Sequence, residues 1–107
     1  KMKTIEIAKA SNDQLDWLVS TFVNGEPPEA LTDDDRYSTS YALACPLMDE
    51  YAMQVGNAIS AKRFASVRNA PSYDTVTGYG DTSPQAICRA ALLAVHGTTA
   101  TVPKELT

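Results

Sequence analysis

The chain is predicted to fold as a small α+β layered domain, with about three helices packed on a short, mainly antiparallel sheet. Apolar residues recur at helical spacing in three segments, and residues between the second and third alternate as they do in strands. A length of 107 residues, 44% hydrophobic and 21% charged, is typical of one folded domain. We therefore expect a single domain spanning residues 1–107.

The first strand and the first helix are predicted near the start of the sequence. Isoleucines alternate with polar residues in 3–8, which predicts a short strand. Ser11 and Gln14 have the spacing of a capping box, and Gly25 supplies a left-handed stop. The sequence therefore predicts a helix over 12–23, whose apolar face is formed by Leu15, Leu18, Val19 and Phe22.

An acidic connector follows over residues 26–36. Two prolines block regular structure there, and the three consecutive carboxylates Asp33, Asp34 and Asp35 prefer water. Their spacing lacks the alternating ligands and the glycine of a calcium-binding loop. We expect a flexible, solvated loop without a bound metal.

The middle of the chain is predicted to form a helix and then three strands. The helix covers 39–52, and Pro46 inside it should kink or restart it. Strands over 53–55 and 59–67 flank Gly56-Asn57, a pair suited to a tight hairpin turn. Alternation over 73–79 predicts a third strand.

The last helix is predicted between Thr82 and Gly97. Thr82 can cap it, Pro84 stands in its first turn, and Gln85 has capping-box spacing. Several alanines leave little side-chain volume, so we expect this helix to approach its neighbours closely and to be central. Residues 102–106 are too short for another element and should lie against the body through Val102.

Charge and reactive side chains limit the function classes. A net charge of −4 argues against a general nucleic-acid binder. Cys45 and Cys88 are expected to be buried thiols, and His96 has no partner for general-base work. We predict no enzyme activity, no catalytic residue, no cofactor and no metal. No segment has the length of a membrane span or the pattern of a secretory signal, so we expect a cytoplasmic protein.

Two motifs resemble a known family. The run from Asp81 to Leu92 is similar to the closing motif of the phage ABA-sandwich domain and of NinX-like phage accessory proteins, and Tyr37-Ser38-Thr39-Ser40 resembles the family's upstream helix start. The resemblance implies a phage or prophage accessory protein in the cytoplasm of a bacterial host. It implies no established activity, and by analogy it suggests binding, including modulation of host defence.

The first functional hypothesis is binding of a host or phage protein. It uses the acidic connector and nearby tyrosines, with the candidate surface formed by Asp33, Asp34, Asp35, Tyr37 and Tyr41. A homodimer is also compatible with the sequence.

The alternative hypothesis is a small-ligand or nucleotide site at the 73–82 turn and the last helix. Its candidate residues are Tyr73, Tyr79, Gly80 and Arg89. Because Gly78 and Gly80 bring backbone amides near a helix start, an anion could bind there, although a capped helix after a turn explains the same residues.

The predicted hairpin also carries positive charge. Lys62, Arg63 and Arg68 surround Phe64, a combination that could stack a base and hold phosphates. Alternation separates Arg63 from Phe64, and the chain is acidic overall, so we favour a sheet edge protected by charge over a nucleic-acid surface.

Overall fold

A computed structural model describes residues 1–59, 62–69 and 74–107. The described part contains three α-helices and five strands, which confirms the predicted α+β class. The helices are α1 (Asn12–Asn24), α2 (Tyr41–Glu50) and α3 (Ser83–His96). The strands are β1 (Met2–Glu6), β2 (Gln54–Asn57), β3 (Arg63–Asn69), β4 (Asp74–Gly80) and β5 (Thr99–Pro103).

The strands form two antiparallel sheets. One sheet has the order β2-β3-β4, and the other pairs β1 with β5. In the three-stranded sheet Phe64 lies opposite Tyr79, and Ala65 lies opposite Gly78. The pairing places β4 at one edge, where it packs against α3.

The last helix is central, as predicted. α3 packs on β3 and β4 and also contacts α1 and α2. A Cβ atom on Gly78 would lie 2.4 Å from the backbone nitrogen of Ala90, and one on Gly80 would lie 2.9 Å from that of Ala86. Small residues on both elements therefore bring the helix backbone onto the strand.

The predicted signals at the ends of α1 are confirmed. Ser11 accepts a hydrogen bond from the backbone of Gln14, whose side chain accepts one from the backbone of Ser11. Gly25 ends the helix with φ of +79°. At the start of α3, Thr82 caps Gln85, but the Gln85 side chain accepts from the Asp81 amide instead of from the cap residue itself.

α2 is shorter than predicted and runs through its proline. Ser40 caps it by accepting from the backbone of Leu43. Pro46 lies inside the helix, which does not restart there. Pro46 has no amide hydrogen to donate to the carbonyl of Ala42, four residues earlier. Because Ala42 is exposed, water can donate to that carbonyl instead.

The predicted tight turn at Gly56-Asn57 is wrong. Both residues lie in β2, where Gly56 is opposite Phe64 and Asn57 is opposite Arg63. A Cβ atom on Gly56 would lie 3.1 Å from a ring atom of Phe64. The glycine is therefore needed where an aromatic ring covers the strand, and β2 continues past it.

The prediction of no element after the last helix is also wrong. Residues 99–103 form β5, which pairs with β1 through contacts such as Ile5 opposite Ala100. Val102 is fully buried, as expected. The first strand ends at Glu6, because Ile7 begins a single 3-10 turn and donates its amide to the carbonyl of Thr98.

Candidate functional site

The side of the three-stranded sheet that faces away from α3 carries most of the candidate site. Ala65 and Val67 of β3 are buried. Because side chains alternate along a strand, Phe64 and Ser66 lie on the opposite face. Their cross-strand partners on β4 are Tyr79 for Phe64 and Thr77 for Ser66.

A cavity of about 670 Å³ opens on this face. That volume lies within the range of small-molecule sites, roughly 300–1,000 Å³. Its lining combines two aromatic rings, two cations and two hydroxyl groups, from Phe64, Tyr79, Lys62, Arg89, Ser66 and Thr77. Ala8, Ala58, Ile59 and Gly80 complete the wall.

Arg89 reaches the cavity from α3. Its Nη1 donates to the carbonyl of Tyr79 at 2.8 Å, and its Nη2 donates to the carbonyl of Ala10 at 2.7 Å. Its Nε is buried and finds no acceptor among the residues that the structure describes. Burial lowers the pKa of Arg89, although a guanidinium keeps its charge at neutral pH.

The positive charge of Arg89 is not matched by a direct carboxylate contact in the described ranges. Asp81 influences Arg89 only through a longer-range electrostatic interaction. Both hydrogen-bond acceptors of Arg89 are neutral carbonyls, so an incoming anion would meet a cation without a bound counter-charge.

Lys62 supplies the second cation and pairs with Asp81. Both side chains are exposed, at 52% for Lys62 and 75% for Asp81. The Lys62 hydrogen bond is the main cause that lowers the pKa of Asp81. Because exposed ion pairs contribute about 0–1 kcal/mol, a ligand anion can replace Asp81 beside Lys62 at little cost.

The aromatic pair forms the apolar part of the cavity. Phe64 is half-buried and leans over Gly56, whereas Tyr79 is 55% exposed on the edge strand. Opposed residues on neighbouring antiparallel strands have Cβ atoms about 4.5–5.5 Å apart. Because the Phe64 ring leans towards Gly56 on β2, the two rings line different parts of the same cavity, and each offers an apolar surface to a flat ligand.

The structure brings together most of the residues of the alternative hypothesis. Tyr79, Gly80 and Arg89 all line the cavity, while Tyr73 lies outside the described residues. Gly80 is buried and contributes through its close packing against α3. Its place is within β4 and not in a turn that presents amides to solvent.

Sequence reasoning missed Ser66 and Thr77 and treated Phe64 separately from Tyr79. The two hydroxyl groups lie 3.2 Å apart, one on each strand. Alternation along each strand places Phe64 with Ser66 on one face of β3, and Thr77 with Tyr79 on one face of β4. Only the pairing register shows that these two pairs lie opposite each other.

The acidic connector and the residues directly after it are held to α1 by buried carboxylates. Asp35 accepts from the Ser20 hydroxyl at 2.8 Å and from the Thr32 amide at 3.0 Å. The hydrogen bond from the Thr32 backbone is the main cause that lowers the pKa of Asp35. Asp16, which sequence reasoning did not single out, is fully buried and accepts from the amide of Ser38 at 2.7 Å.

The structure separates the five residues of the protein-binding hypothesis. Asp35 is buried within the hydrogen-bond network, whereas Asp33 and Asp34 are exposed. Tyr37 is half-buried, which raises its pKa, and Tyr41 is 50% exposed. The flexibility predicted for 26–36 stays a prediction.

Tyr37 lines an apolar groove between α1 and α2. The groove has a volume of about 460 Å³ and is also lined by Val23, Leu43, Pro46, Leu47 and Glu50. Val23 is 48% exposed. Tyr41 lies outside that lining, so only Tyr37 of the predicted surface contributes to the groove.

Charge is divided between the two parts of the chain. Residues 10–61 carry nine carboxylates and one cation, Arg36, which pairs with Asp13 and Asp16. The remaining residues carry eight cations and four carboxylates. The net charge of −4 therefore conceals a basic part that contains β3, β4 and α3, and this division was a sequence signal for the cavity.

Metal binding, thiol chemistry and membrane insertion concern other groups in the described part of the chain. No group of three His, Cys, Asp or Glu side chains there is placed to hold a metal ion. Cys88 is buried, and burial raises its pKa, whereas Cys45 is only half-buried. None of the described helices has both the length and the apolar character needed to cross a membrane.

Comparison with models of known protein families, with curated proteins and with solved structures finds no match. The resemblance to the phage ABA-sandwich domain therefore stays a prediction from the sequence motifs.

Proposed function

We propose that the chain is a non-enzymatic binding protein that holds a small anionic ligand with a planar ring, of the nucleotide class. The observation that carries the proposal is the meeting of Phe64 and Tyr79 with Lys62 and Arg89 in one cavity of about 670 Å³. Aromatic rings favour stacking with a planar group, and the two cations favour an anionic group close to it.

Each part of a nucleotide has a counterpart in the cavity. A base stacks on Tyr79 or Phe64, an interaction worth about 1–3 kcal/mol per base. The phosphate lies near Lys62 and Arg89, where it forms charge-assisted contacts. The Ser66 and Thr77 hydroxyls, which bond to each other, are suited to a sugar hydroxyl.

Calorimetric titration with the four ribonucleoside monophosphates and with their nucleosides tests this proposal. We expect the monophosphates to bind and the nucleosides to bind more weakly. Tyr79→Ala should weaken binding by roughly tenfold, the equivalent of losing about 1.4 kcal/mol of stacking. Tyr41→Ala is the matched control, because Tyr41 is 50% exposed and Tyr79 is 55% exposed.

Two results would overturn the proposal. The first is the absence of binding by every nucleotide to the folded wild-type protein. The second is equal affinity of the Tyr79→Ala and Tyr41→Ala variants. Thermal unfolding of each variant checks that the fold is retained.

The second candidate function is docking of a basic, amphipathic protein segment on the α1–α2 side. Its support is the apolar groove beside Tyr37, with Glu50 in its lining and nine carboxylates in residues 10–61. Opposite charge favours encounter, and apolar side chains in the groove would supply the contact area.

Fluorescence titration with a designed basic amphipathic helix, and with the same helix carrying acids in place of its basic residues, tests the docking function. Val23→Lys introduces a like charge at the groove and should weaken binding of the basic helix. Val95→Lys is the control, because Val95 is also an exposed apolar residue, at 41% against 48% for Val23. Equal binding of both peptides would contradict this function.

The biological setting rests on the resemblance stated above. We place the protein in the cytoplasm of a bacterial host, as a phage or prophage accessory protein that modulates host defence through one of these two surfaces. Phage infection assays on hosts that express wild-type protein or Tyr79→Ala test this setting. The setting is contradicted if expression of the protein leaves the infection efficiency unchanged both in hosts with defence systems and in hosts without them.

A further inference from the structure

We infer that the sheet-face site takes a single-stranded oligonucleotide of two or more linked nucleotides in preference to a single nucleotide. The inference rests on the proposed nucleotide-binding function and specifies its ligand. It follows from a second cavity on the same face of the sheet.

The second cavity adjoins the first. It has a volume of about 320 Å³ and is lined by Ala52, Gln54, Ser66, Arg68 and Thr75. Ser66 lines both cavities. Ser66 and Arg68 occupy the same face of β3, because they are two residues apart.

The pairing register arranges the face as successive rows. Phe64 is opposite Tyr79 in the first row, and Ser66 is opposite Thr77 in the second. Arg68 is opposite Thr75 in the third row. The face therefore changes from aromatic through hydroxyl to cationic along one direction.

The length of this track fits linked nucleotides better than one. Phe64 and Arg68 are four residues apart, which corresponds to about 13 Å along a strand. A nucleotide whose base stacks in the first row has its phosphate beside Lys62 or Arg89. A second, linked nucleotide would extend over Ser66, and the phosphate of this second nucleotide would lie near Arg68.

The chemistry of the face favours single strands over duplexes. Tyr79 projects from an edge strand and is 55% exposed, so an unpaired base can stack on it. In a duplex the faces of the bases are already stacked on each other. Proteins that bind single strands without sequence preference combine such stacking with cations along the backbone.

The acidic side chains are concentrated in residues 10–61, so the net negative charge of the chain does not exclude an oligonucleotide at this site. The prediction that nucleic acid is an improbable partner came from the net charge of −4. The cations that line the two cavities are Lys62, Arg68 and Arg89, all outside the acidic segment 10–61. A short oligonucleotide can contact these cations without lying along the acidic α1–α2 side.

Fluorescence anisotropy with labelled RNA oligomers of one, two, three and six nucleotides, all of one base, tests the inference. We expect affinity to rise by roughly tenfold or more from one to three nucleotides, because each added base and phosphate adds stacking or a charged contact. The gain should then level off. For three phosphates, the slope of log affinity against log salt should be about −2.

Arg68→Gln provides the specific variant, and Lys104→Gln is its control, because both positions are exposed cations and Lys104 is outside both cavities. We expect Arg68→Gln to weaken binding of the trinucleotide more than binding of the mononucleotide. Lys104→Gln should weaken neither, and Tyr79→Ala should weaken both.

The possible failures can be told apart. If mononucleotides bind as tightly as longer strands, or if Arg68→Gln and Lys104→Gln behave alike, the oligonucleotide inference is overturned while nucleotide binding stands. If an RNA duplex long enough to stay paired binds as tightly as either of its separated strands, the inference is also overturned. If no nucleotide of any length binds, both the oligonucleotide inference and the proposed nucleotide-binding function are overturned.

Discussion

Gly78 of β4 lies directly against the backbone of Ala90 in α3, with its Cβ position 2.4 Å from the Ala90 nitrogen. The same Cβ position lies 2.7 Å from the carbonyl oxygen of Ala86. No side chain fits there without moving the helix. This contact sets the distance between α3 and the sheet and carries Arg89 to the strand edge, where it meets Tyr79.

We therefore predict that Gly78→Ala destabilises the fold by about 3 kcal/mol, at the upper end of typical overpacking costs. Chemical denaturation monitored by circular dichroism measures the change. Gly25→Ala is the control, because its Cβ would meet open space and only its φ of +79° is unfavourable. It should cost about 1–2 kcal/mol, the penalty of the left-handed conformation for a residue with a side chain. Equal stability of wild-type protein and Gly78→Ala would contradict the close packing.

Stability should fall in acid through Asp35. Its hydrogen bonds lower the pKa of Asp35 in the folded state below the ordinary value of 3.8. The carboxylate therefore stabilises the fold fully above pH 3.8, and this contribution is lost as the pH falls through the lower, folded pKa. Denaturation midpoints measured between neutral pH and strong acid follow the loss.

The matched variants for this prediction are Asp35→Asn and Asp33→Asn. Asp35→Asn should cost about 1.5–3 kcal/mol at neutral pH, the range for hydrogen bonds to a charged group, and should flatten the decline in acid. Asp33 is exposed, so Asp33→Asn should leave both the stability and its pH dependence nearly unchanged. Identical profiles for the two variants would show that the Asp35 network contributes nothing.

The two free thiols should differ in reactivity. Cys88 is fully buried, and burial raises its pKa, so little thiolate forms and reagents cannot reach it. Cys45 is half-buried. Titration of the native protein with a thiol reagent should modify Cys45 first and Cys88 only after unfolding. If Cys88 in the folded Cys45→Ala protein reacts as fast as Cys45 reacts in the folded wild-type protein, this order is contradicted.

The strand after the last helix should contribute to stability through Val102. The side chain is fully buried where β5 pairs with β1, and Val102→Ala should cost about 2 kcal/mol. Val95→Ala is the control, because Val95 is also an apolar valine but is 41% exposed near the end of α3. A change within about 0.5 kcal/mol is expected there. Equal effects of the two variants would place Val102 outside the core.

Local signals in the sequence predicted the helices well. Ser11, Gln14 and Gly25 define the ends of α1 through contacts within a few residues. Thr82 and Gly97 do the same for α3. These interactions depend on neighbouring residues, so the sequence contains them directly. The strands whose partners are distant in sequence were less predictable.

The turn assigned to Gly56-Asn57 shows the limit of local reasoning. A Gly-Asn pair favours a tight turn by its own conformational preferences, but Gly56 is needed beneath the ring of Phe64. The sequence of β5 is equally ambiguous, since its strand character depends on β1 at the other end of the chain. Pairing with β3 overrode the local turn preference of Gly56-Asn57, and pairing with β1 made residues 99–103 a strand.

The amino-acid sequence by itself determined the α+β class, the helix boundaries set by caps and the small residues that make α3 central. It also determined the division of charge between residues 10–61 and the rest. Only the tertiary structure decided that Phe64 is opposite Tyr79 and that Arg89 crosses to the edge of β4. The physical reason is range: capping and periodicity act over a few residues, whereas strand register and helix–sheet packing join residues far apart in the chain.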